Sequence, residues 1–368
     1  MTLSAYANGL RPDQIDDLVN NTLHKFDKDR FVDISTELQR YFAYDNMLLN
    51  GRIAIDGGDQ LQWQIKVRNT GAAINTGMYA VDSVSVKDVT KHAKVWWTKQ
   101  STHMGYDIDE LAFNRPDAVR LLSIIIPRRH DAMTSYAELM EQNFWGLPAD
   151  INDEEEMKKP LGVPYWIVRN ATKGFNGGLP VGSNFTNVAG LDPTVYTRWQ
   201  NFTGQYRVAD KHDLVRLLRE AVVKCNFRQP IKHPSPKSGP PRYTICTVYE
   251  IVQVLEEILE AQNSNLGKDV ASMDGDLVFR RTPVTWVPFL DANHDPTGAV
   301  TTNPLGKNPI YGIDRNAFKV VFKKGAVMRR TRPLVAPNQH DTRHVHWDSW
   351  MQFKCLDRRS SFVVTQAA

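Results

Sequence analysis

Apolar and polar residues alternate without a break from Leu61 to Arg68, with Leu61, Trp63, Ile65 and Val67 set against Gln62, Gln64, Lys66 and Arg68. Successive side chains on a strand point to opposite faces, so this octet specifies a β-strand with one apolar face and one wet face. A turn-rich stretch containing Gly71, Asn75 and Gly77 follows, and β-like character resumes through residues 78–89 and 93–97. The pattern predicts a long hairpin. Ten residues of strand reach about 33 Å, enough to project beyond a compact body. An exposed edge carrying an apolar face invites association, which makes Leu61, Trp63, Ile65 and Val67 candidates for contact between copies of the chain.

The segment before this strand reads as a helical arm. Pro12 suits a first helical turn, and Ile15, Leu18, Val19 and Leu23 repeat at helix spacing. Residues 32–44 carry a second helical pattern through Leu38, Tyr41 and Phe42. An amphipathic arm lying outside a core needs a partner surface, so Ile15 and Leu18 join the contact candidates.

Residues 114–145 predict the longest helix. Asn114 can cap it, Pro116 and Asp117 suit its first turn, and Gly146 with Pro148 ends it. Pro127 removes one backbone bond and is expected to kink the axis. Residues 146–190 read as a loop system, with an acidic run at 153–156 and a strand-like apolar patch at 165–168. Helical spacing returns at 213–223, and a proline-rich break spans 230–241. Beyond it, residues 243–246 predict a strand leading into a helix to about residue 262. Thr247 and Glu250 there match a capping box. Strand patterns at 277–279 and 284–287 follow, with a polar turn at 291–298. Near the end, Val345, Trp347, Met351, Phe353 and Cys355 share one strand face, while His344, His346, Asp348 and Lys354 share the other.

Composition narrows the function classes. At 368 residues and 42% hydrophobic content the chain can bury a large core. The three cysteines, Cys225, Cys246 and Cys355, are odd in number and widely spaced, so neither a disulfide framework nor a metal knuckle is expected. No run of about eighteen apolar residues suggests a membrane span, and residues 1–10 do not read as an export signal. The expectation is a protein made in the cytoplasm, with the sequons at Asn20, Asn170, Asn184 and Asn201 unused. The formal charge of +4 is low for a dedicated DNA binder, although residues 319–368 hold ten Lys or Arg against three Asp or Glu. A solvated or intersubunit face explains that segment more simply than a nucleic-acid footprint.

No catalytic motif stands out. Gly306-Lys307 lacks the loop of a phosphate-binding motif, Gly177-Gly178 is no dinucleotide fingerprint, and Ser183 lacks the glycine of a nucleophile elbow. His344 and His346 point the same way from one strand, with His340 nearby, but zinc needs a further ligand at set spacing. Asp291, His294 and Asp295 are ordinary turn residues without calcium-loop order. No metal, cofactor or catalytic residue is implied.

Four strings carry a resemblance. PLGVPYWIVRNATKGFNGGLPVG (160–182), NLGKDVASMDGDLVFRRTPVTWVPFLDA (265–292), NPIYGIDRNAFKVVFKKG (308–325) and FKCLDRRSSFVVT (353–365) resemble the tailed-bacteriophage major capsid proteins with the Hong Kong 97-type fold. The likeness runs over nearly the whole chain and is most specific after Gly146. It implies an α+β fold in which residues 1–50 form an N-terminal arm and 51–94 an extended E-loop hairpin. Residues 95–189 would be a peripheral domain with a spine helix at 114–145. An axial α/β domain would span 190–303, and 304–368 would return strands to the peripheral domain.

The resemblance further implies a non-enzymatic coat protein that self-assembles into hexamers and pentamers of an icosahedral shell around double-stranded DNA. Its place would be the virion capsid, assembled in the host bacterial cytoplasm. Scaffold, portal and decoration proteins are the implied partners, with weak non-specific contact to DNA and none to membrane. The helical arm begins close to Met1, so a scaffold is expected as a separate protein or not at all, and no covalent crosslink is expected. The alternatives are an encapsulin-like compartment holding an enzyme cargo, and an enzyme with a metal site near His344, His346 and Asp295.

Overall fold

The computed structural model describes residues 53–68, 73, 75, 88–108, 118–227, 242–262, 277–297, 303–336 and 339–368. In chain order, β1 (Ile53–Asp56) and β2 (Leu61–Lys66) precede β3 (Thr90–Val95) and β4 (Thr98–Asp107). The long helix α1 (Ala118–Trp145) and the single turn α2 (Val163–Trp166) come next. Then follow β5 (Gly174–Gly177), β6 (Asn201–Tyr206), α3 (Leu214–Lys224), β7 (Tyr243–Thr247) and α4 (Tyr249–Gln262). The strands β8 (Val278–Phe279) and β9 (Thr282–Trp286) form a hairpin before α5 (Pro288–Asn293). The last part is β-rich: β10 (Lys307–Asp314), β11 (Phe318–Lys323), β12 (Arg329–Arg330), β13 (Leu334–Ala336), β14 (Gln339–Cys355) and β15 (Phe362–Gln366).

β14 organises a six-stranded sheet, pairing antiparallel with β4 along one edge and with β11, β12 and β13 along the other. Its predicted alternation holds: Val345, Trp347, Met351, Phe353 and Cys355 are buried. α1 lies on that apolar side, where the Thr102 hydroxyl donates to the Ala132 carbonyl (2.9 Å) and the Phe144 ring stands edge-on to Phe318 and Phe353, both at 5.5 Å. Pro127 sits inside α1. β4 escapes a sequence reading because its inward residues begin Thr98, Gln100, Thr102, so polar groups occupy the buried face.

A seven-stranded sheet forms the second layer system, in the order β5-β6-β15-β10-β7-β9-β8. Here the expectation that 304–368 all returns to one domain is corrected. β10 and β15 occupy the middle of this sheet, while β11 to β14 join the other. Their apolar runs, buried on both faces, suit central strands. Gly312 in β10 is required there, since a Cβ would come within 2.2 Å of the Phe362 ring on β15. β6, β7 and β9 run parallel, and β6-α3-β7 and β7-α4-β9 both cross the sheet in the same direction. Right-handed crossovers therefore place α3 and α4 on the same face of the sheet.

Two local expectations also change. The apolar patch at 165–168 is not a strand: Tyr165 and Trp166 end α2, a helical turn with Pro at its start, and Ile167 and Val168 follow it outside any helix or strand. The capping box does not form: the Thr247 hydroxyl donates to the Pro309 carbonyl, and the Tyr249 amide is met by the Asp291 carboxylate (2.8 Å). The two sheets share one continuous core, joined where the Trp145 ring meets Tyr311 at 5.6 Å.

Candidate assembly surfaces

β2 and β3 form the predicted antiparallel hairpin, with Leu61 opposite Val95 and Trp63 opposite Ala93. Its apolar face, however, is covered by its own chain. Leu61, Trp63 and Val67 are buried among core residues, and Ile65 is half-buried against them. The Trp63 ring lies 5.9 Å from Trp166, with the Lys354 ammonium 5.0 Å from its centroid. The Lys94 amide donates to the Ala189 carbonyl (3.0 Å), and the Trp97 indole to the Gly58 carbonyl (3.2 Å). This corrects the expectation that Leu61, Trp63 and Val67 wait for a second copy, because Trp166 and its neighbours dry that face within the subunit. Most of residues 69–87, and all of the arm with Ile15 and Leu18, lie outside the described residues.

Behind the hairpin lies a buried arginine. Arg358 is fully enclosed, and its guanidinium donates to the carbonyls of Trp166 (2.6 Å), Trp199 (2.6 Å), Gly177 (3.0 Å) and Gly178 (3.0 Å). Burial pushes its pKa down to about 10, still well above neutrality. It binds two of the strings singled out in the sequence, 160–182 and 353–365, into one unit. Its other acceptor is the Asn201 side-chain oxygen (3.4 Å), and since every acceptor lies within its own chain its part is architectural.

The exposed surface carries three distinct features. On α3 the outer stripe is Arg216, Arg219, Val223 and Lys224, with Glu220 already engaged by Lys173 and Lys224. On α4 the outer residues include Tyr249, Gln253 and Glu257, and Tyr249 packs at 5.7 Å against the exposed Trp286, whose indole donates to Asp291. On the sheet face turned away from α1, His346 stands 5.6 Å from His103 and 4.8 Å from His344, ring to ring. Burial lowers the pKa of His346, and His344 and His103 push it the same way, against the pull of Asp348.

Comparison with protein-family models and with curated proteins gave no match. Solved structures do match. The subunit in the capsid asymmetric unit of cyanophage A-1(L) superposes with a TM-score of 0.54 at 14% identity, covering 92% of this chain and 94% of that one. The capsid subunit of a native GTA particle gives 0.51 at 10% identity, covering 90% and 91%. This chain has the Hong Kong 97-type capsid fold.

Within the capsid fold, the features that a metal or active-site reading would need stand apart. His344 and His346 project from the six-stranded sheet, whereas the Asp295 carboxylate turns into its own loop and accepts from the Thr297 amide (3.1 Å) and hydroxyl (2.8 Å). The side chain of His340 lies outside the described residues. All three cysteines are buried as free thiols, and burial raises the pKa of each. The charged stripes of α3 and α4 match no sequence motif. Their signal was present as charge segregation, since LVRLLREAVVK has three basic residues and one Glu, while YEIVQVLEEILEAQ has four Glu and no basic residue.

Proposed function

We propose that this chain is the coat subunit of a phage-type icosahedral shell, closing into hexamers and pentamers around packaged double-stranded DNA. The observation that carries the reading is the chain-long likeness to the cyanophage A-1(L) capsid subunit, with no large segment of either chain left over. The chemistry agrees. Buried polar groups such as Arg358 and Gln352 hold backbone carbonyls and amides of distant segments together. That use of polar groups suits a building block better than a catalyst.

In this reading α1 and the six-stranded sheet make the peripheral domain, α1 being the spine helix, and the seven-stranded sheet with α3 and α4 is the axial domain. The β2–β3 pair is the root of the E-loop, anchored in its own subunit so that residues beyond it can reach another. The intersubunit role falls to that outer part, to the arm with Ile15 and Leu18, and to Ile65, the least covered of the hairpin candidates. Each contact is modest, but a subunit held on several sides gains strongly from multivalency. The shell would reside in the virion after assembly in the host cytoplasm. Portal, scaffold or decoration proteins would be its partners.

Electron microscopy of the purified protein, with analysis of particle contents, tests the reading. Closed shells carrying nuclease-protected DNA after infection are the expected result. Small discrete oligomers without shells would contradict it, and DNA-free particles enriched in one enzyme would point to a cargo compartment.

A further inference from the structure

The two helices on the axial sheet carry opposite charges, three basic residues and one Glu on α3 against four Glu and no basic residue on α4. α3 lies toward β6, near the β5 edge, and α4 toward β9, near the β8 edge, both on one face of the sheet. Arg216 and Arg219 are exposed on α3, and among the described residues neither has an ionic partner. Glu257 is exposed and Glu256 half-buried on α4, likewise without an ionic partner among the described residues. Each flank also offers apolar surface: Val223 is 51% exposed on α3, and Tyr249 and Trp286 are 51% and 42% exposed beside α4.

We propose that the α4 flank of one subunit seats on the α3 flank of the next, so that Glu256 and Glu257 face Arg216 and Arg219 of the neighbouring copy around a capsomer ring. This rests on the coat-protein reading and names the contact it requires. A ring needs a heterologous interface in which two different patches of the same chain are complementary. Here the outer face of α4 is acidic, with aromatic surface beside it and Arg280 and Arg281 exposed at the β8–β9 turn of that edge, whereas the outer face of α3 is basic and aliphatic. Complementary charge fixes orientation and register and disfavours a two-fold pairing of like flanks. An exposed ion pair contributes little alone; repeated around a closed ring beside apolar contact, it selects which flank meets which.

The test uses two charge-reversed chains, Arg216→Glu with Arg219→Glu, and Glu256→Lys with Glu257→Lys. Three of the four positions are exposed and Glu256 is half-buried, so folding should be little changed, which thermal unfolding of each chain verifies. Alone, each variant is expected to lose shell assembly by a factor of about ten or more, because like charges then face each other at every contact.

Mixed one to one, they are expected to co-assemble, since an alternating ring restores opposite charge at each interface. Alternation closes only in even rings, so the mixture should form six-membered rings and sheets but not the five-membered rings that closed shells need. Either variant assembling alone like the unmodified chain overturns the proposal. So does failure of both variants alone and in mixture, which would place the charge effect within one chain. If the unmodified chain forms neither rings nor shells, the coat reading falls first and this contact with it.

Discussion

The indoles of Trp63 and Trp166 stand 5.9 Å apart, centroid to centroid, within one subunit. The first belongs to the β2–β3 hairpin and the second to α2, about a hundred residues later in the chain, so the hairpin is part of the subunit's own core. Aromatic pairs at this spacing stabilise beyond the area they bury. Trp63→Ala should therefore destabilise the subunit itself by about 3 kcal/mol or more, the usual cost of emptying a buried aromatic site. Chemical denaturation of the unassembled protein reads this directly. A stability unchanged from the parent, with assembly alone lost, would return Trp63 to the intersubunit contact.

Arg358→Met removes the donors that meet the carbonyls of Trp166, Trp199, Gly177 and Gly178. Each acceptor left dry and unpaired costs about 1–3 kcal/mol, so the variant should lose more than about 3 kcal/mol and become protease-sensitive in the loop at 178–190. Arg358→Lys should rescue only in part, because an ammonium cannot reproduce the planar fork. Full stability in the lysine variant would show that charge, not geometry, is what the site requires.

The pH dependence of stability follows from His346. Its folded pKa lies below the ordinary histidine value of 6.5, so the unfolded chain takes up its proton first as pH falls. The stability attached to neutral His346 is thus complete above about pH 6.5 and is lost as acid protonates the ring beside His344 and His103. Melting temperatures measured from pH 5 to 8 should fall on the acid side. His346→Gln should flatten that part of the curve, and an unaltered slope would remove His346 as its source.

The thiols of Cys225, Cys246 and Cys355 are buried, with pKa values raised by desolvation. A thiol-specific reagent at neutral pH should leave all three untouched in the native protein and label all three in denaturant. Rapid labelling of any one in the native state would place that cysteine at a surface or an opening.

Much of this architecture was legible in local pattern. The alternation at 61–68 specified β2, and that at 345–355 specified the buried face of β14, because in each strand apolar side chains recur at every second position on one face. Helices expected at 114–145, at 213–223 and from Thr247 to about residue 262 correspond to α1, α3 and α4. What stayed hidden depends on residues far apart in sequence. Nothing in the octet at 61–68 says that Trp166 and Lys354 cover it. Nothing near Thr247 says that Asp291 meets the α4 amide 42 positions upstream. β4 was concealed by an inward face of Thr98, Gln100 and Thr102, and α2 because a four-residue apolar run reads equally well as strand or helix. The capsid fold itself was read from resemblance in four strings, two of which, 160–182 and 353–365, meet at Arg358.

Cryo-electron microscopy of the purified assembly, at a resolution separating helices from sheets, tests the central claim most directly. A closed icosahedral shell of five- and six-membered rings is predicted, each subunit showing α1 across its six-stranded sheet and a seven-stranded sheet bearing α3 and α4. A monomer or small closed oligomer at every concentration and in every infected lysate would contradict the account.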